Sequence, residues 1–175
     1  MGHIKIHPRL GRRHIDQVVE IDFANYQQTP SPVAIRNAEE NPWNYTILTF
    51  GDRVEGYGLV VPIDTFATEA LKRGEIDEDE LMSRHVTNAR DCNALYIASL
   101  ATRLNTHATL RSRLVGYTLG PVLRSEKPVL AVAVSKNGDR IAREIGLEGK
   151  EYSGKYTGIQ GFTPKLFLKW PFQNN

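Results

Sequence analysis

Positive charge without nearby negative charge marks one part of this sequence as suited to binding an anion. From Cys92 to Ser125 the chain has no carboxylate. The same stretch carries four arginines and a histidine, which are Arg103, His107, Arg111, Arg113 and Arg124. Guanidinium groups form charge-assisted, often bidentate hydrogen bonds with phosphate and carboxylate. The stretch therefore predicts either a local anion site or a solvated basic helix face.

A run of acidic residues lies upstream of that stretch. Residues 75–80 hold five carboxylates in six positions, although the whole chain is nearly balanced at 22 Lys and Arg against 20 Asp and Glu. Dedicated nucleic-acid binders usually carry a large basic excess, so the net charge of +2 argues against nucleic acid as a partner. The small total is the sum of two regions of opposite charge.

The length and composition predict one globular domain over residues 1–175. Of the 175 residues, 41% are hydrophobic and 24% are charged, values typical of a single folded core. Cys92 is the only cysteine, which excludes an internal disulfide framework. The five histidines are not spaced as the histidine ligands of a metal ion usually are, so we expect no metal site. No run of about 18 apolar residues occurs and the first residues lack a signal-peptide core, so we expect no membrane span and a cytoplasmic location.

The elements that must hold the basic stretch are a strand, a helix and a second strand. Ala94–Ala101 and Val129–Val134 are strongly apolar, as expected of buried strands, and residues 106–119 between them have helical spacing. Gly120-Pro121 should weaken or end this helix. Parallel strands need such a crossover helix, so we predict a central β-α-β unit.

The rest of the chain is predicted to complete a mixed α/β fold. The element order is β-α-α-β-β-(α)-β-α-β-α-β-β, with a hairpin turn around Gly51 between the second and third strands. Residues 64–90 are predicted to form an acidic helical insert between the third and fourth strands. Asp64 and Asp77 can each cap a short helix within it.

These elements resemble the GNAT acyltransferase superfamily, and the resemblance runs from His3 to Trp170. Its most specific segments are Ala94–Thr102, followed by a helix, and Pro128–Glu148, which contains the Gly146-Leu147 pair typical of that family. The resemblance implies a mixed sheet whose fifth strand splays away from the fourth. It also implies an enzyme that transfers an acyl group from acetyl-CoA, or from another acyl-CoA, to an amine of a small molecule or a protein.

The resemblance implies a cofactor site at the end of the fourth strand. Splaying leaves backbone groups of Leu100, Ala101 and Thr102 unpaired, so that they can bond the pantetheine amides. Backbone N–H groups at the start of the next helix, together with arginines, would bind the pyrophosphate. The residues predicted for this loop and helix start are Asn105, Thr106, His107, Ala108, Thr109, Arg111, Ser112 and Arg113. We expect Asn105 or Thr106 to cap the helix.

The position of this loop depends on where the helix begins. The superfamily pattern Arg/Gln-x-x-Gly-x-Gly/Ala is approached by residues 113–118, which would start the helix near Gly116. Only 13 positions would then separate Gly116 from Val129, and Pro121 would fall inside the helix. We therefore expect the helix to begin near His107, which leaves the loop without a glycine.

The catalytic residues typical of the superfamily have no counterpart at the expected positions. Ser99 and its neighbours occupy the strand position where the family often has a carboxylate, and Ala142 stands where it has a tyrosine acid. N-acyl transfer nevertheless needs a base, a donor to the developing oxyanion and an acid. The candidate replacements are Ser135 and Tyr152, followed by Glu55 and Asp91.

Two other functions stay open. One is a GNAT-fold enzyme that takes its acyl chain from acyl carrier protein, which is consistent with the glycine-free loop, the acidic insert and the missing catalytic pair. The acidic carrier protein would dock on the basic residues between 103 and 124. The third alternative is a catalytically inactive GNAT-like binding protein. In either enzyme, Trp43, Tyr45 and Tyr57 could line the acceptor pocket or belong to the core. A second copy of the chain, forming a homodimer, is a further candidate partner.

Overall fold

A six-stranded mixed sheet forms the centre of the computed structural model, which describes residues 3–27, 29–132, 136–147 and 159–162. The strands lie side by side in chain order and are β1 Ile4–His7, β2 Tyr45–Phe50, β3 Arg53–Ile63, β4 Ala94–Thr102, β5 Val129–Val132 and β6 Ile159–Phe162. Neighbouring strands are antiparallel except β4 and β5, which are parallel. The predicted mixed α/β class is confirmed, and so is the central β-α-β unit.

The described α-helices connect these strands. They are α1 Ile15–Tyr26, α2 Pro32–Glu40, α3 Thr65–Arg73, α4 Glu78–Arg84, α5 Ala108–Arg124 and α6 Lys136–Glu144. Asp64 and Asp77 each accept a hydrogen bond from a backbone N–H of the helix that follows, at 2.7 and 2.9 Å, so both aspartate caps expected from the sequence are present. Within the described residues, no helix is long and apolar enough to cross a bilayer.

The expectation that α5 ends near Gly120 is wrong. Pro121 lies inside the helix, which continues to Arg124. Proline removes one N–H near the last turn. However, Leu119 and Val122 on either side of it are only 1% and 3% exposed. Their burial in the core holds the final turn in helical conformation.

Strands β4 and β5 separate midway along β4. Their pairing is limited to Leu95–Ile97 opposite Val129–Ala131. Beyond this point β4 continues to Thr102 with β3 on one edge and, in the part of the chain that the structure describes, no strand on the other. The splay implied by the sequence resemblance is therefore observed.

A bulge in β4 lies at the point of separation. Ser99 pairs with Leu59 and Ile97 pairs with Val60, which leaves Ala98 as an extra residue on β4. Bulges bend a strand and increase its twist. The bulge thus explains in part why the end of β4 no longer follows β5.

Two glycines of β3 let α5 approach one face of the sheet closely. A Cβ atom on Gly58 would lie 2.3 Å from Oγ1 of Thr118, and one on Gly56 would lie 2.8 Å from the carbonyl oxygen of Ala101. Tyr57, between the glycines, points to the opposite face and contacts α1. The close packing of α5 fixes the position of the helix start that follows β4.

The acidic insert is built into the core. Helices α3 and α4 bury Ala67, Ala70, Leu71 and Leu81 in the same apolar cluster as α1 and the sheet. This packing holds the acidic start of α4 in a fixed place beside the sheet. The insert is therefore a structural part of the cavity described next.

Candidate functional site

A cavity of about 1470 Å³ follows the open edge of β4. It extends from α1, α2 and α4 at one end to α5 and α6 at the other, and at the splay it is lined by residues 99–102 of β4. Pockets for one small ligand usually measure about 300–1,000 Å³. The cavity therefore has room for one large ligand or for two that meet at the splay.

The two ends of this cavity differ in charge. The end at α5 and α6, called the basic end, is lined by three arginines, Arg103, Arg111 and Arg140, and by one carboxylate, Glu144, which lies 3.9 Å from Arg140. The end at α1 and α4, called the acidic end, is lined by four carboxylates: Asp22, Asp77, Glu78 and Asp79. The acid-free stretch and the acidic run of the sequence therefore meet in one cavity.

The open edge of β4 presents backbone hydrogen-bonding groups between these ends. Leu100, Ala101 and Thr102, the residues predicted to bind pantetheine, all line the cavity. Alternate backbone groups of a strand point to opposite edges, so part of this segment faces away from β3. The Thr102 carbonyl oxygen accepts a hydrogen bond from Asn25 Nδ2 at 2.9 Å, which ties α1 to the strand end. Such an edge fits an extended chain that contains amides.

The cap of α5 differs from the one expected. The helix begins at Ala108, and His107 is its N-cap, with Nδ1 accepting a hydrogen bond from a backbone N–H two residues on at 3.3 Å. Asn105 is not the cap. Thr106 is not the cap either, because its buried hydroxyl donates to the Glu55 carbonyl oxygen at 3.1 Å. The loop is thereby tied to β3.

The start of α5 near His107 is confirmed, and the alternative start near Gly116 is wrong. Gly116 lies in the middle of α5. In the observed register Arg103, Thr106 and Ala108 fall on the superfamily pattern Arg/Gln-x-x-Gly-x-Gly/Ala, with threonine in place of the first glycine. The Nε of Arg103 donates a hydrogen bond to the Val54 carbonyl oxygen at 2.7 Å, so this arginine connects the loop to β3.

Arg111 is the arginine of α5 that reaches the cavity. Its Nε donates to the Thr106 carbonyl oxygen at 2.9 Å, and its terminal nitrogens have no partner among the described residues. Ser112 also lines the cavity. The other predicted loop and helix residues do not line it, and they are Asn105, Thr106, His107, Ala108, Thr109 and Arg113.

Four polar side chains from α1, β3 and β4 meet beside the splay. The Tyr57 hydroxyl donates to Oδ1 of Asp22 and lies 2.8 Å from Oγ of Ser99. The Tyr26 hydroxyl lies 3.3 Å from the same Ser99 oxygen. Because Tyr57 uses its proton on Asp22, Ser99 donates to Tyr57 and accepts from Tyr26. This chain of hydrogen bonds connects the Tyr26 hydroxyl to the Asp22 carboxylate.

Carboxylates at the acidic end titrate near neutral pH. Burial raises the pKa of Asp22 to about 6, against the opposing hydrogen bond from Tyr57. Glu78 is open to the cavity, yet enclosure by the surrounding protein and the charges of Asp22 and Asp79 raise its pKa to about 7. Burial also raises the pKa of Tyr57, which stays protonated. Carboxylates perturbed in this way within a cleft are candidates for acid–base or binding roles.

None of the suggested catalytic residues that the structure describes lines the cavity. Ser135 and Tyr152 lie outside the described residues. Glu55 is buried and forms an ion pair with Arg53 at 2.6 Å, while Asp91 lies in an exposed loop before β4. Neither carboxylate lines the cavity.

Asp22 is the functional candidate that sequence reasoning missed. It lies on the inward face of α1, four residues after the buried Val18 and four before Tyr26. The signal that could have identified it is a carboxylate at the helical spacing of the apolar residues of α1, because the apolar face of a helix points to the protein interior. Ser99 carries no comparable signal.

Tyrosines form much of the wall at the acidic end. Tyr26, Tyr45 and Tyr57 line it, and the ring centroids of Tyr45 and Tyr57 are 6.0 Å apart. Trp43 is 63% exposed and does not line the cavity. In the described residues, no three His, Cys, Asp or Glu side chains are grouped as metal ligands would be.

Comparison with known proteins identifies the fold. No family model and no curated protein matches the chain. Among solved structures, the loading GNATL domain of CurA from Lyngbya majuscula is similar, with a TM-score of 0.71 and 10% sequence identity. The alignment covers 92% of this chain and 98% of that domain.

Two further similar structures contain CoA compounds. The GphF GNAT-like decarboxylase in complex with isobutyryl-CoA has a TM-score of 0.59 and 17% identity, over 82% of this chain and 72% of that one. Arabidopsis thaliana Naa50 in complex with the bisubstrate analogue CoA-Ac-MVNAL has a TM-score of 0.57 and 8% identity, over 90% and 95% of the two chains. These likenesses confirm the GNAT fold predicted from the sequence.

Proposed function

We propose that this GNAT-fold protein is an acyl-CoA-dependent N-acyltransferase that moves an acetyl or another acyl group to an amine. The observation that carries the proposal is the splay of β4 from β5, which opens one cavity between arginines and a carboxylate–tyrosine–serine cluster. A thioester bound along β4 would have its reactive carbonyl near the middle of that cavity. Two of the similar structures hold CoA compounds, which supports the choice of donor.

The residues at the basic end fit an acyl-CoA. Leu100, Ala101 and Thr102 would bond the pantetheine amides, and Arg111 with Ser112 would face the phosphates. The terminal nitrogens of Arg111 fit this role because its Nε alone is used within the protein, among the described residues. The CoA thioester supplies an activated acyl group.

Asp22 and Tyr26 are proposed to move the protons of the transfer. The neutral amine attacks the thioester carbonyl, so that a C–N bond forms and the C–S bond breaks. Asp22, ionised above a pKa of about 6, accepts the proton that the amine loses. Tyr26, whose pKa is raised mainly by enclosure in the protein, stays protonated and donates a proton to the leaving thiolate. A proton then returns from Asp22 to Tyr26 through the Tyr57 and Ser99 hydroxyls, which restores both residues.

A carrier-bound acyl donor is the second candidate. Leu104 is 70% exposed in the loop before α5, and Arg113 is exposed on the first turns of that helix. An apolar residue beside basic ones suits an acidic carrier protein. The similar CurA domain is described as a loading domain, which is consistent with this alternative.

A thermal-shift panel tests the donor. At a concentration of about 100 times Kd, a ligand of the native state adds about 2.7 kcal/mol, which corresponds to about 5–10 °C in Tm for a domain of this size. We expect that shift with acetyl-CoA or a longer acyl-CoA, and an acylated amine by mass spectrometry. A rise in Tm with acyl carrier protein, and none with any acyl-CoA, would indicate that the donor is carrier-bound. No response to either would favour an inactive binding protein.

A further inference from the structure

The acidic end of the cavity holds negative charge that no described residue neutralises. Arginines line only the opposite end, and no lysine lines the cavity in the part of the chain that the structure describes. Asp77 caps α4 through a backbone N–H, and Asp79 accepts a hydrogen bond from Ser31 at 2.6 Å. Asp22 is bonded only by the neutral Tyr57 hydroxyl, and Glu78 has no partner among the described residues.

We propose that the amine acceptor of this enzyme is a small diamine or polyamine that carries a second positive charge. Its reacting nitrogen lies beside Asp22 and Ser99 at the splay, and its second ammonium is bound by Glu78. This inference rests on the proposed N-acyl transfer and names the class of its acceptor.

Tyr45 gives independent support for a ligand at this end. Its side chain lines the cavity and is only 6% exposed, yet its hydroxyl has no hydrogen-bond partner among the described residues. The side chain is buried, but its hydroxyl opens onto the cavity, where a bound ligand can reach it. Burial raises the pKa of Tyr45 most, and the charges of Asp22 and Glu78 raise it further, as expected of a hydroxyl close to both carboxylates. An ammonium N–H held between these carboxylates would supply the missing hydrogen-bond donor.

The tyrosine walls suit a cation better than a neutral amine. Aromatic rings attract ammonium groups through their negative faces, most strongly where water is partly excluded. Tyr26, Tyr45 and Tyr57 come from α1, β2 and β3, so the rings surround the acidic end from three elements. An acceptor with one charge would leave one of the two carboxylates uncompensated.

The carboxylates should gain negative charge when such a ligand binds. Repulsion by Asp22 and Asp79 contributes to the raised pKa of Glu78, and burial raises that of Asp22. The other titratable groups that face them are Asp77, Tyr26, Tyr45 and Tyr57. A bound dication opposes both effects and lowers both pKa values. Binding near pH 6.5 should therefore release protons.

Calorimetry with the full chain tests the acceptor class. The probes are putrescine, a diamine, and n-butylamine, which has the same carbon chain and one charge, at pH 8 and fixed ionic strength. We expect putrescine to bind at least about tenfold more tightly, as an added close charge pair would produce. Glu78→Gln should abolish that difference, while Glu80→Gln, on the same helix but outside the cavity, should preserve it. Equal affinity for the two amines, or equal effects of the two variants, would overturn the inference.

A measurement on the unaltered protein protects the test against misfolding of a variant. Titrations at pH 6.5 in buffers of different ionisation enthalpy report the protons released on binding. We expect more release with putrescine than with n-butylamine, and no release with either amine would contradict the inference.

The failure of this inference and that of the proposed function are distinguishable. If putrescine binds as expected but no acyl-CoA binds or reacts, the cation site stands and the transferase proposal falls. If acetyl-CoA is used equally well with both amines, the transferase proposal stands and the diamine inference falls.

Discussion

Asp22→Asn should abolish the proposed acyl transfer and stabilise the protein at the same time. The substitution keeps the shape of the side chain and an oxygen that can accept from Tyr57, but it removes the charge. The rise in the pKa of Asp22 from 3.8 to about 6 corresponds to about 3 kcal/mol at 1.36 kcal/mol per pH unit. Because Asp22 lines an open cavity, where solvent screens its charge, the expected effect is about 1–2 kcal/mol.

The sign of the effect follows from the direction of the pKa change. The folded state holds the Asp22 proton more tightly than the unfolded state does. The stability that this proton provides is complete below pH 3.8 and is lost as the pH rises through about 6. Asparagine does not ionise, so the Tm of the variant should exceed that of the wild type at pH 8 by about 2–8 °C. The difference should vanish as the pH falls toward 4.

The matching assay is the pH dependence of kcat/KM. A base with a pKa of about 6 makes kcat/KM of the wild type fall about tenfold per pH unit below that value. The variant should lose about 10²–10⁴-fold in kcat/KM at pH 8. Asp16→Asn, at an exposed position on the same helix, should leave the rate and its pH profile unchanged. A less stable Asp22→Asn protein at pH 8, or a retained acid limb, would refute the reasoning.

Three further substitutions test the geometry around this site. Gly58→Ala should lower the free energy of unfolding, measured with urea, by about 1–3 kcal/mol, because the new Cβ would lie 2.3–2.8 Å from atoms of Thr118. The double variant with Thr118→Ala should recover part of this stability. No recovery would mean that the clash lies elsewhere. Arg111→Glu should weaken acyl-CoA binding about tenfold or more, whereas Arg124→Glu outside the cavity should not; equal Kd values would place the phosphate site elsewhere. Tyr57→Phe removes the hydrogen bond that lowers the pKa of Asp22. The pKa of Asp22 should therefore rise, and the acid limb of the pH–rate profile should move to higher pH. An unchanged acid limb would exclude Asp22 as the base.

The strand–helix–strand unit could be predicted because its signals are local. Ala94–Ala101 and Val129–Val134 are apolar runs, and counting residues between them placed the start of the helix near His107, one residue from the observed start at Ala108. Its end could not be predicted from Pro121, because the burial of the surrounding residues in the core decides whether the last turn forms.

The polar cluster could not be predicted from local patterns. Asp22, Tyr57 and Ser99 belong to a helix and two strands, and they are 35 and 42 residues apart in the chain. Only the packing of α1 on β3 and the bulge of β4 bring them together. The glycine pattern implied by the resemblance was equally hard to place, because Thr106 stands where that pattern has a glycine and its hydroxyl bonds the Glu55 carbonyl oxygen.

The distribution of charge along the cavity gives each ligand one direction of approach. In the proposed reaction, the phosphates of an acyl-CoA would be attracted to the end lined by Arg111 and repelled by the carboxylates of Asp22 and Glu78. A cationic amine experiences the reverse field, so that binding either ligand at the wrong end would bring like charges together. The reactive groups of the two proposed ligands would then meet at Ser99, where β4 leaves β5. The net charge of +2, which sums 22 basic and 20 acidic residues, does not reveal this arrangement.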